Sequence, residues 1–126
     1  MKIEHIAVLV NDLETMKAFY SNYFDGRPNE KYNNAAKGFE SYFLTFSSGC
    51  RLELMRRTDI TTGQDFLRIG WAHIAFSLGS REAVDRLSER LALDGYTRLD
   101  GPRRTGDGYY ESVFCDPENN RIELTV

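Results

Sequence analysis

Hydrophobic and polar positions along the chain follow two different spacings, which predict strands and helices in a regular order. The opening KIEHIAVLV is rich in β-branched residues and predicts a strand, whose continuous apolar stretch from Ile6 to Val10 indicates burial on both faces. In the following NDLETMKAFYSNYF, apolar residues recur at helical spacing after an N-cap at Asn11 or Asp12. Gly26 is expected to end this helix. A polar loop, NEKYNNAAKG, precedes two predicted strands, FESYFLTF and CRLELMRR.

The second half of the chain repeats this order. WAHIAFSL predicts a strand, REAVDRLSERLAL a helix capped by Gly79 or Ser80 and ended by Gly95, and YYESVFC and RIELTV two strands around the turn DPENN. The string HIA also occurs twice, and RLEL is echoed by RIEL. We therefore interpret the chain as two copies of one module, at about 1–57 and 71–126, with a linker at 58–70. One such module buries too little surface to be stable alone, so the two copies must pack together.

Length and composition exclude several classes of protein. With 126 residues, the two modules are expected to form a single domain. A net charge of −3 gives no indication of nucleic-acid binding. No apolar run approaches the roughly 20 residues that cross a membrane, and the N-terminal stretch has no signal-peptide pattern. Cys50 and Cys115 are isolated in apolar contexts and are predicted to be buried, reduced thiols, which favours a cytoplasmic location.

Two histidines and two glutamates stand inside hydrophobic strands at matching places in the two modules. Strand alternation directs each glutamate away from the flanking apolar positions, which are expected to face the helix. Taken alone, each of these residues is explained as a solvent-facing or hydrogen-bonded side chain. Because a histidine and a glutamate recur at equivalent places in both modules, one shared binding site is favoured. A divalent cation would satisfy both carboxylates, and this mixture of nitrogen and oxygen ligands suits Zn²⁺, Ni²⁺, Co²⁺, Mn²⁺ or Fe²⁺. The four candidate ligands are His5, Glu53, His73 and Glu123.

The whole chain resembles the vicinal oxygen chelate superfamily, which includes glyoxalase I, fosfomycin-resistance proteins, bleomycin-binding proteins and extradiol dioxygenases. The resemblance rests on EHIAVLVNDLETMKAFYSNYF, RLELM, WAHIAFSL, the Gly101-Pro102 pair and the ending CDPENNRIELTV. It implies an α+β fold in which two paired βαβββ modules form a half-open barrel around a metal. It also places the four candidate ligands at the ligand positions of glyoxalase I-like members. Fosfomycin-type proteins and dioxygenases use three protein ligands, and bleomycin-type binders use none.

This resemblance implies a metal-dependent lyase or isomerase, similar to lactoylglutathione lyase, with a small-molecule substrate. In such enzymes the metal chelates the enediolate that forms when a proton is removed alpha to a carbonyl. Glu123 is the first choice for the base and Glu53 the symmetric alternative. A fosfomycin-type transferase and a non-catalytic small-molecule-binding protein remain alternatives. The resemblance also implies a homodimer with metal sites built across the interface. The 13-residue linker, Thr58 to Gly70, is long enough for a site within one chain or for one across the interface.

The substrate is expected to differ from the standard glutathione adduct. Glyoxalase I holds glutathione with an arginine on the first strand and an asparagine just after the first glutamate ligand. Here the corresponding stretches are AVL at 7–9 and LMRR at 54–57. Arg103 and Arg104, in the loop GPRRTGDGYY, are candidates for binding a different anionic substrate, although they are equally well explained as solvated loop charges. Tyr109 and Trp71 are further candidates for substrate contact.

Overall fold

The computed structural model describes residues 4–61, 70–106 and 108–126. It divides into two compact units, Met1–Gly63 and Gln64–Val126. Residues 62–69, which form most of the predicted linker, lie outside the described ranges. Among the described residues, no helix is long and apolar enough to cross a membrane.

The first unit is a helix packed on an open, mixed sheet. Its elements are β1 (His5–Leu9), α1 (Leu13–Phe24), β2 (Arg27–Pro28), β3 (Tyr32–Asn34), β4 (Phe39–Thr45) and β5 (Arg51–Arg57). The strands are ordered β1-β5-β4-β2, and β3 also pairs with β4. Strands β1 and β5 are parallel, whereas β4 and β5 are antiparallel. The predicted polar loop therefore contains the short strand β3, followed by a 3₁₀ turn at Ala35–Lys37.

The second unit repeats this arrangement. Its elements are β6 (Ile74–Ser77), α2 (Arg81–Leu93), β7 (Arg98–Arg104), β8 (Tyr110–Cys115) and β9 (Arg121–Thr125). The sheet order is β6-β9-β8-β7, with β6 and β9 parallel. The α+β class is thus confirmed, as two units that each combine one helix with an open sheet.

The helix ends follow local capping chemistry, with one departure from the sequence prediction. The Asp12 carboxylate accepts a hydrogen bond from the Thr15 backbone N–H at 3.0 Å, which holds the pKa of Asp12 below its usual range. Ser80 caps α2 in the same way, and Gly95 follows its end at φ +89°. In α1, which ends at Phe24, the left-handed residue is Asp25, at φ 55°, one residue before the predicted Gly26.

The last strand of each unit alternates between the core and the opposite face. Leu52 and Leu54 are 3% and 0% exposed, and Ile122 and Leu124 are both 0% exposed. These residues lie on the sheet face that packs against the helix, as predicted. The first strand differs from its prediction. Residues of β1 are mostly exposed in the chain, with Leu9 44% exposed, so the expected burial on both faces is wrong for this strand.

The turn between β8 and β9 is built around one buried carboxylate. Asp116 is 3% exposed and accepts hydrogen bonds from the backbone N–H groups of Glu118 and Asn120, at 3.0 and 2.8 Å. Its carboxylate also accepts two bonds from the Asn120 side chain. Asn119 adopts φ 67°, which asparagine tolerates better than most residues. The turn predicted from DPENN is therefore present, and it fixes the register of β9.

The two cysteines differ in exposure. Cys115 is buried, and burial raises the pKa of its thiol. Cys50 is exposed, because it lies at the end of the turn before β5, so the prediction of two buried thiols is wrong for this residue. Both cysteines are free of disulfides.

Gly101 allows an irregular pairing of β7 with β8. The register shifts twice between Arg98 and Arg103, and Gly101 lies in this region at φ +72°. A Cβ atom on Gly101 would lie 2.4 Å from the Glu111 carbonyl oxygen and 2.9 Å from the Ser112 Cα. Both neighbours are backbone atoms of the paired strand and have little freedom to move away.

We therefore expect Gly101→Ala to lower the free energy of unfolding by at least about 1–3 kcal/mol, the usual cost of a disfavoured backbone conformation. Urea denaturation followed by circular dichroism will measure the change. Gly106→Ala is the matched control, because no described atom lies within 4 Å of a Cβ placed there and its φ is not in the left-handed region. Equal stability of the two variants would contradict this interpretation of β7.

Candidate metal centre

The first unit brings His5 and Glu53 together. They lie on the neighbouring parallel strands β1 and β5, where Ala7 is paired with Glu53. The distance from His5 Nε2 to Glu53 Oε2 is 3.9 Å. The Glu53 side chain is 15% exposed and that of His5 is 39% exposed, so the pair is open to solvent mainly on the histidine side.

The second unit repeats the pair with the same strand register. His73 directly precedes β6, and Ala75 is paired with Glu123 on the parallel strand β9. His73 Nε2 lies 3.5 Å from Glu123 Oε2, and the two side chains are 43% and 18% exposed. In both units the glutamate is therefore paired with the alanine two residues after the histidine. The sequence echo corresponds to a repeated spatial arrangement.

The chemistry and spacing of each pair fit two ligands of one divalent ion. Both separations exceed the 2.7–3.2 Å that is usual for an N–H···O hydrogen bond, so neither pair is closed by a short bond of its own. Two ligand atoms that are each about 2.1 Å from a common ion are about 3.4 Å apart at a tetrahedral angle. Among the described residues, no group of three or more His, Cys, Asp or Glu side chains is arranged to hold a metal ion. Each pair by itself thus supplies two donors.

His5 has close neighbours that the sequence prediction did not include. Its Nδ1 lies 2.5 Å from Glu4 Oε2, and its ring meets the Phe43 ring edge-on, with centroids 5.3 Å apart. The other Glu4 oxygen forms an ion pair with Arg51, whose guanidinium lies 4.3 Å from the Phe43 centroid. The bond from His5, together with Arg51, holds the pKa of Glu4 below its usual range. The adjacent Glu-His pair in the sequence was the available signal for this contact.

The arginines predicted to bind an anionic substrate differ in their surroundings. Arg103 forms an ion pair with Asp100 at 2.8 Å and a second with Glu111 at 3.4 Å, so its charge is already balanced by two carboxylates. The bond from the Gly101 backbone N–H and that from Arg103 both lower the pKa of Asp100. Arg104 is exposed at the end of β7, opposite Tyr110.

The two aromatic candidates are both exposed. Tyr109, at 55% exposure, lines a shallow hollow of about 370 Å³ in the second unit together with Arg81, Gly108, Tyr110 and Val126. Trp71 is 88% exposed and precedes β6 by three residues. The predicted strand WAHIAFSL is thus shorter than expected, since regular pairing begins at Ile74.

The residues at the expected glutathione anchor positions are apolar or already paired within this chain. Leu9 is apolar and exposed on β1. Arg56 donates to the Asn11 carbonyl at 3.1 Å and pairs with Glu40 at 3.3 Å. Arg57 is held by both oxygens of the Asp59 carboxylate, at 2.9 and 2.6 Å. The two arginines are therefore already paired with groups of this chain.

The two units, each of one helix and an open sheet, have the fold of the vicinal oxygen chelate superfamily. The glyoxalase/bleomycin resistance protein/dioxygenase superfamily model matches residues 2–124, and the chain belongs to this family. Glyoxalase I of Zea mays and fosfomycin-resistance proteins are among its structural and sequence neighbours.

Three similar proteins illustrate the range of the family. The metallothiol transferase FosB of Lysinibacillus sphaericus is 30% identical over 122 residues, covering 97% of this chain and 79% of FosB. A glyoxalase/bleomycin resistance protein/dioxygenase domain from Frankia has a similar fold, with a TM-score of 0.86, 21% identity, and coverage of 100% of this chain and 97% of that domain. The fosfomycin resistance protein FosX of Listeria monocytogenes was solved as a mutant with Mn(II) and a dihydroxypropylphosphonic acid. Its structure has a TM-score of 0.75 and 25% identity to this chain, and the match covers 98% of this chain and 90% of FosX.

Proposed function

We propose that the protein is a metal-dependent enzyme of the glyoxalase I type, which removes a proton alpha to a carbonyl in a small-molecule substrate. The observation that carries the proposal is the His–Glu pair that recurs in both units with the same strand register. Each glutamate side chain is largely buried beside a histidine, and a divalent ion would satisfy both carboxylates at once.

The proposed ligands of one divalent ion are His5, Glu53, His73 and Glu123. Their nitrogen and oxygen donors suit Zn²⁺, Ni²⁺, Co²⁺, Mn²⁺ or Fe²⁺, and FosX is a relative solved with Mn(II). The bound ion supplies Lewis-acid stabilisation of the negative charge that develops on the substrate oxygens. The four side chains would hold the ion in place.

Glu123 is the proposed general base, a role that requires its carboxylate to be released from the ion when substrate is bound. Its side chain is 18% exposed on β9, and its paired neighbours Ala75 and Val113 are apolar, so few protein groups compete for its carboxylate oxygens. The carboxylate accepts the proton from the substrate carbon and returns it to the adjacent carbon, while the hydroxyl proton moves from one substrate oxygen to the other. The isomerisation therefore involves no net gain or loss of a proton. Glu53 occupies the matching position on β5 and is the alternative base.

We expect poor turnover of the hemithioacetal of methylglyoxal and glutathione, because Leu9 and the paired Arg56 and Arg57 occupy the glutathione anchor positions. The assay compares hemithioacetals of methylglyoxal with a panel of other low-molecular-weight thiols, using protein loaded with Zn²⁺, Ni²⁺ or Mn²⁺. A kcat/KM for the glutathione adduct near 10⁶ M⁻¹s⁻¹, on the order of that of an efficient enzyme, would contradict the substrate prediction. No turnover of any adduct with any metal would contradict the lyase proposal itself.

A fosfomycin-type transferase is the second candidate, and the 30% identity to FosB supports it. The feature that distinguishes the two candidates is Glu53, because the resemblance assigns only three protein ligands to fosfomycin-type enzymes. Incubation of the metal-loaded protein with fosfomycin and cysteine or glutathione, followed by mass spectrometry, tests this candidate. A thiol–fosfomycin adduct would favour the transferase, whereas unchanged fosfomycin together with hemithioacetal turnover would favour the lyase.

A further inference from the structure

The two histidines of the repeated pairs are held differently. His5 lies in a closed group of side chains in which Glu4 contacts both the imidazole and Arg51, while Phe43 contacts both the imidazole and the guanidinium. We refer to Glu4, Phe43 and Arg51 as the His5 support. Each of these four side chains, His5 included, contacts two of the others, so displacement of the ring would break its contacts with both Glu4 and Phe43.

The second unit lacks two members of this support. Ala72 precedes His73 where Glu4 precedes His5, and Val113 is paired with Glu123 where Phe43 is paired with Glu53. Arg121 occupies the place of Arg51, two residues before the glutamate, and its Nε is buried without a hydrogen-bond partner among the described residues. The two His–Glu pairs therefore offer the same donor atoms, but different side chains surround the two histidines.

We propose that Glu4 is a positioning residue, which accepts the His5 Nδ1–H and so leaves the Nε2 lone pair available to a metal ion. This inference rests on the proposed metal site. A neutral imidazole carries one N–H, and the hydrogen bond made by one nitrogen decides which nitrogen is left to bind a metal. Nε2 is the atom that lies 3.9 Å from Glu53, so a proton on Nδ1 leaves the correct nitrogen free. Carboxylates commonly orient metal-binding histidines in this way.

Glu4 is suited to this role although its side chain is 53% exposed. An isolated exposed ion pair contributes little, because two long side chains must be held in one geometry. Here Glu4 and His5 are adjacent in sequence, and Arg51 fixes the second carboxylate oxygen. Arg51 is itself the strand partner of His5 in the β1–β5 register, so the backbone supplies most of the ordering.

The direct test is the tautomer of His5 in metal-free protein, read from two-bond ¹⁵N–¹H correlations well above the ordinary histidine pKa of about 6.5. The chain contains only two histidines, and a His73→Gln spectrum assigns both imidazoles. We expect His5 to carry its proton on Nδ1 in the wild type and to shift toward Nε2–H in Glu4→Ala. Glu4→Gln keeps an acceptor oxygen and should retain most of the Nδ1–H form. The His73 signals should be the same in all three proteins.

The second readout is Zn²⁺ affinity, measured by calorimetry. Loss of an outer partner of a metal ligand typically weakens binding by about 10–100-fold, and we expect a loss of that size in Glu4→Ala. Glu30→Ala is the control, since Glu30 is an exposed glutamate between β2 and β3. An Nε2–H tautomer in wild-type His5, or a tautomer unchanged by Glu4→Ala, would overturn the inference. A wild-type protein that binds no Zn²⁺ would instead overturn the proposed function, and the tautomer measurement keeps the two failures distinct.

Discussion

Glu123→Gln will reduce turnover by about 10²–10⁴-fold, the usual contribution of a general base, while the fold remains intact. Glutamine has nearly the shape of glutamate but cannot accept the substrate proton. The side chain lies on the face of β9 opposite the buried Ile122 and Leu124, so the substitution leaves the core unchanged. The loss is expected mainly in kcat rather than KM. Exchange of the substrate α-proton with solvent deuterium should fall by the same factor, because proton removal is the affected step.

Two further variants are needed to interpret the result for Glu123→Gln. Glu89→Gln, at an exposed position of α2, should retain full activity. Glu53→Gln removes the corresponding carboxylate of the first unit and should retain part of the activity if Glu53 serves only as a ligand. If Glu123→Gln is fully active and Glu53→Gln is inactive, the base is Glu53 and our assignment is wrong.

His73→Ala will weaken Zn²⁺ binding by more than about 100-fold. Loss of a residue that only orients a metal ligand costs up to about 100-fold, and here a ligand itself is removed. The side chain is 43% exposed, so we expect little change in the stability of the metal-free protein. Calorimetric titration with Zn²⁺ measures the affinity, and thermal unfolding without metal measures the stability. Trp71→Phe is the control, since this neighbouring residue is exposed and carries no metal donor. Equal affinity in His73→Ala and Trp71→Phe would exclude His73 as a ligand.

Local rules in the sequence predicted much of the fold. Helical spacing identified both helices, and strand alternation placed Leu52, Leu54, Ile122 and Leu124 in the core because these side chains have one apolar face to cover. The turn at DPENN was also predictable, since Asp116 binds backbone groups only two and four residues away. Features of this kind depend on interactions within a few residues.

Features that depend on distant partners were missed. Strand β3 forms in a polar segment because it pairs with the edge of β4, and nothing in its own sequence requires a strand. Asp25 replaces Gly26 as the left-handed residue after α1, since aspartate tolerates this conformation and the Gly26 N–H reaches back to the Tyr20 carbonyl. Burial on both faces of β1 was inferred from its apolar composition, but Ile6 and Leu9, on opposite faces of the strand, are 37% and 44% exposed.

The candidate site was only partly predictable. The repeat identified each His–Glu pair, because the same strand register brings both pairs within 4 Å. The contact of Glu4 with His5 and Arg51 depends on side-chain conformations that alternation does not specify. The pairing of Arg103 with Asp100 and Glu111 required the bulged register of β7 and β8. The homodimer, the cytoplasmic location and the single-domain organisation stay predictions.

Elemental analysis of protein purified without added metal tests the central claim most directly. Four ligands per chain predict about one divalent ion per chain, whether the site forms within one chain or between two. Protein that is stripped with a chelator should bind the same amount of Zn²⁺ or Ni²⁺ in calorimetry. Purified protein without a divalent ion that also fails to bind Zn²⁺ or Ni²⁺ would contradict the metal centre and the enzymatic function proposed from it.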